Sequence, residues 1–449
     1  MRVLKFGGTS VGSAERIRSV ARLVSTRGRN LVVLSAMAGT TNALVEVASL
    51  IKENQINAAA SALDALKEKY AGVIADLLGE DRGYAAMARE AVKGSFDTIR
   101  NYFGTKRFTD VDERTILAQG ELISTALMAC YLRSQGVNVA LLPALDFMLV
   151  DHNNQPLPGF IADSLNGLIE ANSDAELFLT QGFICRNSRG EIDNLQRGGS
   201  DFTATLAGCA INAEEVEIWT DIDGMHTGDP RFVDGTRRVD SLTFDEASEL
   251  AYFGAKILHP MCIWPARSAR VPVRLLNTLD PSAEGTVIGL SDNPDGTLKA
   301  VAAKDDIVII KVTGNRLIPP RSFFGRVFAS LELCNINVDI SVISEVSVAL
   351  ALGDDQPMID SLLEKLSRLG KVAVEKGQVI ISVVGDFSSE NAGEYRGEIM
   401  EALRPFNVKM ICNGAGNSSL SVVMDNKDKI MALNNLNTKL FKRMFHNNC

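Results

Sequence analysis

Val3-Leu4-Lys5-Phe6-Gly7-Gly8-Thr9-Ser10-Val11-Gly12 reads as an apolar strand running straight into a glycine turn, and residues 14–26 follow it with helical spacing. The same alternation recurs along the first 290 residues. Leu31-Val32-Val33-Leu34, Val137-Asn138-Val139-Ala140-Leu141-Leu142, Leu177-Phe178-Leu179-Thr180 and Val216-Glu217-Ile218-Trp219 are further strands, with helical stretches at 43–53 and 114–135. Several strands are apolar on both faces, as strands covered by helices on each side must be. The pattern predicts an α/β fold with a mainly parallel sheet. In the 114–135 helix Ile116, Ile123, Leu127 and Cys130 share one face. At about 100° per residue Glu121 falls far from that stripe and is expected off the main core face.

The chain has 449 residues, enough for two to four domains of ordinary size. Asp plus Glu (55) outnumber Lys plus Arg (46), for a net charge of −9, which argues against nucleic acid or an anionic membrane surface as partner. No apolar run looks long enough to span a bilayer, and the start lacks a signal-peptide pattern. The seven cysteines are scattered with no C-x-x-C pair, so neither a disulfide framework nor a zinc ribbon is expected. A cytosolic protein with reduced thiols follows from these features.

A turn-rich stretch, Ser291-Asp292-Asn293-Pro294-Asp295-Gly296, marks a domain boundary. Beyond it the chain repeats weakly. Ile307-Val308-Ile309-Ile310-Lys311-Val312-Thr313-Gly314 returns as Gln378-Val379-Ile380-Ile381-Ser382-Val383-Val384-Gly385. Asn337-Val338-Asp339-Ile340 returns as Asn407-Val408-Lys409-Met410, and Ser347-Val348-Ala349-Leu350 as Leu420-Ser421-Val422-Val423. A repeat of about 70 residues reading strand-helix-strand-strand-helix fits two ferredoxin-like βαββαβ modules. The predicted domains are therefore 1–290, 298–376 and 377–449.

Four clusters could carry chemistry. Lys5 at a strand end, with Gly7, Gly8 and Ser10 on the turn behind it, suits an anion or a transferring phosphate, and equally an ordinary tight turn. No Gly-Lys-Ser/Thr closes it, so it is not a Walker A loop. Arg197-Gly198-Gly199-Ser200-Asp201 opens a helix, where Ser200 and Asp201 suit capping. The same stretch offers a guanidinium for a carboxylate and an acid for an ammonium group. Thr220-Asp221, with Asp229-Pro230-Arg231 downstream, suits ribose, base and phosphate, or a capped turn. Lys256 in Phe253-Gly254-Ala255-Lys256-Ile257-Leu258-His259-Pro260 lies in an apolar segment, which is unusual for a solvated charge. The four histidines show no ligand spacing, so no protein-held metal is expected.

In this order the clusters resemble aspartate kinases of the amino acid kinase family with two C-terminal ACT domains, the monofunctional lysine-sensitive type most of all. Lys5-Phe6-Gly7-Gly8-Thr9-Ser10, Ser35-Ala36-Met37-Ala38-Gly39-Thr40-Thr41-Asn42, Gln119-Gly120-Glu121 and Gln181-Gly182-Phe183-Ile184 match its motifs, as do the later clusters. The resemblance spans essentially the whole chain. It implies an amino acid kinase fold, a mainly parallel sheet between helices, followed by two ACT domains. It also implies transfer of the γ-phosphoryl group of ATP to the β-carboxylate of L-aspartate, with Mg2+ carried mainly by the nucleotide.

By the family pattern Arg197 grips the α-carboxylate of aspartate, and Glu121, helped by Asp201, holds its ammonium. Ser35, Thr41, Phe183 and Ser200 complete that pocket. Lys5 neutralises the transferring phosphoryl, Gly7, Gly8 and Ser10 line its path, and Thr220, Asp221, Arg231 and Lys256 hold the nucleotide. Phe323, Phe324, Asp339, Ser344 and Glu345 match an effector site for lysine. The chain departs from the pattern at His226, usually aromatic, and at Pro319, Pro320 and Ile343. A homodimer through the ACT domains is the expected minimum, with a tetramer as the alternative, and no fused homoserine dehydrogenase is expected. The competing readings are a kinase for glutamate, acetylglutamate or a nucleoside monophosphate, and an amino-acid sensor with an inert kinase domain.

Overall fold

The computed structural model describes residues 1–79, 81–196, 198–254, 258–289, 296–314 and 319–441. The chain divides into two compact units, Met1–Met225 with Leu258–Leu290, and His226–Ile257 with Ser291–Cys449.

In the first unit the strands run in the order Val139–Leu141, Leu177–Gln181, Leu31–Leu34, Val3–Phe6, Val216–Thr220, Val273–Asn277 and Thr286–Ile288. All pair parallel except the last, which turns back antiparallel. Val3, Leu4, Phe6 and the whole of Leu31–Leu34 are fully buried, as the doubly apolar runs predict. The register levels the strand ends: Phe6 stands opposite Leu34 and Trp219, and Leu34 opposite Gln181. Gly7, Ser35 and Gly182 therefore begin loops at one carboxyl edge, where Thr220 ends its own strand. Val3–Phe6 is where the chain order reverses direction across the sheet, the place where open α/β folds bind ligands.

The helices Ile56–Leu78, Arg82–Arg100 and Asp110–Ser134 share one apolar core with that sheet. The first is Ala-rich, with the shallow hydrophobic contrast that masks a helix in the sequence. Asp110–Ser134 starts at a Thr109/Asp112 capping box. Its predicted stripe is buried, but so are Gln119, Gly120, Glu121, Ser124 and Thr125. The helix is covered on both sides, so Glu121, placed off the core face by periodicity, is only 4% exposed. By length and composition this helix could cross a membrane, contrary to the sequence reading, and 72% of its apolar window is buried inside the protein. Among the described residues Cys130, Cys185, Cys209, Cys262, Cys334 and Cys412 are free thiols.

In the second unit an antiparallel sheet runs Ile340–Ile343, Ser347–Gly353, Leu298–Gly314, Gly370–Gly385, Ser419–Asp425, Met410–Asn413. The echoing segments occupy equivalent strands, as the repeat predicts. The two long central strands are each shared between modules. Ile307 to Gly314 pairs with Ser347–Gly353 and with the first half of Gly370–Gly385. Leu298 to Lys304 pairs instead with the second half, from Ile380 to Gly385. Each half has its own core: Val308, Ile310 and Val312 pack with Phe323, Val327 and Leu362, whereas Leu298 and Val301 pack with Ile381, Val383, Leu433 and Leu436. The fourth strand of the second module thus precedes the first module in sequence, so the modules are interleaved and not consecutive as 298–376 and 377–449 implied. A register shift between Lys304 and Ile307 divides the two halves.

Candidate active site

The loops at the carboxyl edge of the first unit surround a cavity of about 610 Å3. Of the predicted residues, Lys5, Gly8, Ser35, Thr41, Glu121, Phe183, Ser200 and Asp201 line it together. Asn42, Met37 and Gln196 line it as well. Asn42 closes the Ser35-to-Asn42 motif, so its neighbours were a signal for it.

Two helices begin at the cavity wall. Thr40–Lys52 starts after Gly39 and Gly199–Ala210 after Gly198, both glycines in left-handed conformation. Neither N-terminus has a side-chain cap. Ser200 and Asp201 are therefore not caps, as their position had suggested. They sit inside the first turn, and its free N–H groups and positive dipole end face the cavity. Gly198 is required twice over: φ is 72°, and a Cβ there would lie 2.5 Å from His259 Cβ. Gly8 permits another close approach, since its Cβ would fall 2.7 Å from the Ala36 carbonyl oxygen.

Lys5 Nζ and Asp201 Oδ1 are 2.6 Å apart, with side chains only 11% and 14% exposed. The pair sets the Lys5 ammonium in the wall of the cavity. Glu121 Oε1 accepts the Ala36 N–H at 3.0 Å, while Oε2 is buried without a partner. Burial pushes the Glu121 carboxyl up to about 8, against the Ala36 N–H, which favours its charged form. Ser124 Oγ donates to the Ser35 carbonyl, and Thr203 Oγ1 accepts the Phe183 N–H at 3.1 Å, holding Phe183 in its left-handed conformation. Behind Thr41, Thr40 Oγ1 and Tyr70 OH form a buried 2.8 Å hydrogen bond. Tyr70 and Thr203 had no signature in the sequence, because each acts through a neighbour.

Gly7 and Ser10 do not line the cavity. The Gly7 N–H donates to the Trp219 carbonyl, and Ser10 Oγ lies 2.8 Å from Thr278 Oγ1. They brace the turn that presents Gly8. Thr220 Oγ1 donates to Asp221 Oδ1 at the end of Val216–Thr220. Arg197 and Lys256 lie outside the described residues, as does the 315–318 part of the effector stretch.

Arg231 belongs to the second unit, where its guanidinium makes a two-pronged pair with Asp229, Nη2 to Oδ2 at 2.6 Å and Nε to Oδ1 at 2.9 Å. That pair holds the Asp229 carboxyl below its usual value. His226 bridges to Arg238 in an isolated antiparallel pair. The effector candidates are dispersed in role. Phe323 is 2% exposed and belongs to the core of the first module, so it is a packing residue and not a ligand contact, while Phe324 rests against its ring. Asp339 Oδ1 already accepts from Lys304 Nζ and, at 2.8 Å, from Tyr252 OH. Ser344 Oγ pairs with Ser347 Oγ at 2.6 Å, and Glu345 is exposed.

The amino acid kinase family profile matches residues 1–277. Lysine-sensitive aspartokinase 3 of Escherichia coli is 32% identical over 98% of this chain and 99% of its own. The crystal structure of E. coli aspartokinase III with aspartate and ADP (R-state) superposes with a TM-score of 0.83 at 31% identity, covering 98% of this chain and all of that one. The same enzyme with lysine and aspartate (T-state) gives 0.78 at 32% identity, over 98% and 99% of the two chains.

Proposed function

The chain belongs to the amino acid kinase family, and from that premise we propose that it is an aspartate kinase, transferring the γ-phosphoryl group of ATP to the β-carboxylate of L-aspartate. The observation that carries the reading is the cavity itself. It sets the Lys5–Asp201 pair beside a buried carboxyl, Glu121, whose free oxygen has no partner within the chain.

The chemistry asks little of a base. A β-carboxylate oxygen attacks the γ-phosphorus, the bond to the β–γ bridging oxygen breaks, and ADP leaves with the electron pair. No proton moves, so positioning and charge neutralisation do the work. Glu121 receives the α-ammonium of aspartate through Oε2, which restores ionisation to a carboxyl that burial disfavours. Lys5, held by Asp201, meets the charge on the transferring phosphoryl. The Thr40 and Gly199 N–H groups bond the Met37 and Gln196 carbonyls, and the rest of the first turn of each helix supplies N–H donors for carboxylate and phosphate oxygens. Thr220, Asp221 and Arg231 are assigned to the nucleotide by their motifs, as are Lys256 to the nucleotide and Arg197 to the α-carboxylate. Among the described residues no cluster of three His, Cys, Asp or Glu side chains stands ready for a metal. Mg2+ would arrive on the phosphates with most of its water and supply charge neutralisation there.

The same reading extends to the effector and assembly. Lysine is the proposed effector, and at Asp339 its ammonium must displace Lys304, so weak affinity is expected. A homodimer would cover Val342 and Ile343, exposed on the edge strand Ile340–Ile343. The test of the activity is ADP release with aspartate as acceptor. Lys5→Ala is expected to lower kcat by about 10²–10³-fold with a much smaller change in the aspartate KM. Normal turnover in that variant would remove Lys5 from the transfer step.

A further inference from the structure

The Asp229-Pro230-Arg231 turn is built onto the last helix of the second ACT-like module. Asn437, on helix Lys429–Phe441, is 1% exposed and uses both ends of its amide on this segment. Its Oδ1 accepts from Thr227 Oγ1 at 2.9 Å, and its Nδ2 donates to the Asp234 carbonyl at 3.1 Å. One turn earlier, Asn434 accepts the Asp234 N–H and donates to the Phe232 carbonyl, each at 3.1 Å. Between these anchors the turn closes on itself, with Phe232 and Val233 N–H groups on the Asp229 carbonyl. Val233 is buried in the module's own apolar core beside Leu298, Leu433 and Leu436. Thr227 is fixed further by the Val301 N–H on its carbonyl, in the strand that supplies the module's fourth position. A buried amide that satisfies two groups of one loop fixes its geometry, because breaking either bond leaves a polar atom without water.

We infer that Asn437 is a positioning residue for the nucleotide: with Thr227 it fixes the loop that carries Arg231, and so the guanidinium assigned to a phosphate. This rests on the assignment of Arg231 to the nucleotide. Arg231 is itself paired with Asp229 through Nε and Nη2 and leaves its outer face exposed to a phosphate oxygen.

Steady-state kinetics with ATP and with aspartate varied separately test the inference. Asn437→Ala and Thr227→Val should each raise the ATP KM about tenfold and leave the aspartate KM within about twofold. Thr227→Ser, which keeps the hydroxyl, should restore the wild-type ATP KM. Ser421→Ala, which breaks the buried Ser382–Ser421 hydrogen bond of the same module, should lower the melting temperature without moving the ATP KM. Equal rises in both KM values, or an ATP effect of Ser421→Ala as large as that of Asn437→Ala, would make Asn437 merely structural and overturn the inference. An ATP KM raised by Arg231→Ala but not by Asn437→Ala or Thr227→Val would overturn the positioning role alone. An ATP KM untouched by Arg231→Ala would instead remove the nucleotide assignment.

Discussion

Glu121 joins one oxygen to the backbone and leaves the other bare in a cavity, an arrangement that awaits a cation. Its carboxyl is raised from 4.5 to about 8 by burial. An incoming ammonium must find it ionised, so kcat/KM for aspartate is expected to rise with pH from about 6 towards 8. Glu121→Gln should flatten that rise and lower kcat/KM by about 10²-fold; an unchanged pH profile in the variant would contradict the role. The same shift has a stability consequence. Between 4.5 and about 8 the folded protein retains a proton that the unfolded chain has released, so the empty protein loses stability as pH rises across that interval. Urea denaturation should show this contribution, and Glu121→Gln should remove it, leaving a shallower fall in stability than the parent shows. The motif made Glu121 legible as a functional residue. Periodicity alone misjudged its burial, since it registers one apolar stripe and cannot register a helix enclosed on every side.

At the scale of elements, the helix Gly199–Ala210 shows what short-range rules miss. Ser200-Asp201 at a helix start reads as a cap, yet the cap is Gly198, whose left-handed backbone frees Asp201 to meet Lys5 from a distant strand. Nothing local in the sequence encodes that pairing, because the two residues meet only once the parallel sheet has aligned its edge. Gly198→Ala is expected to destabilise the first unit by about 1–3 kcal/mol, measured by urea denaturation, since it meets both the positive φ and the His259 side chain. A neutral Gly198→Ala would show that the turn can be reached another way. Five strands of the first unit were legible from their apolar runs to within two residues, whereas Val273–Asn277 and Thr286–Ile288 were not singled out. The helices Ile56–Leu78 and Arg82–Arg100 were not singled out; in the first, alanine on both faces blunts the contrast on which periodicity depends, whereas the second buries a regular stripe, Ala85, Ala88, Val92, Phe96 and Ile99, that periodicity could have found.

Across the whole molecule, the repeat was visible and its interleaving was not. Two echoing β-rich segments announce two modules, but which strand completes each sheet is decided by long-range register along Leu298–Gly314 and Gly370–Gly385. A fragment covering 296–441 is expected to melt with both modules folded. One covering 306–441 should retain the first module and lose the second, because Val379 to Val384 would be left with an open edge and Leu298 and Val301 would be missing from its core. Amide hydrogen exchange at Ile380 to Val384 distinguishes the two, and equal protection in both fragments would contradict the interleaved arrangement.

The central claim is that the cavity joins a phosphoryl group to the β-carboxylate of aspartate, and the acyl phosphate so formed can be trapped directly. With ATP, Mg2+ and hydroxylamine present, the protein is expected to form hydroxamate from aspartate, and none from glutamate or N-acetylglutamate. Hydroxamate from glutamate at a comparable rate, or none from aspartate by a folded protein, would contradict it.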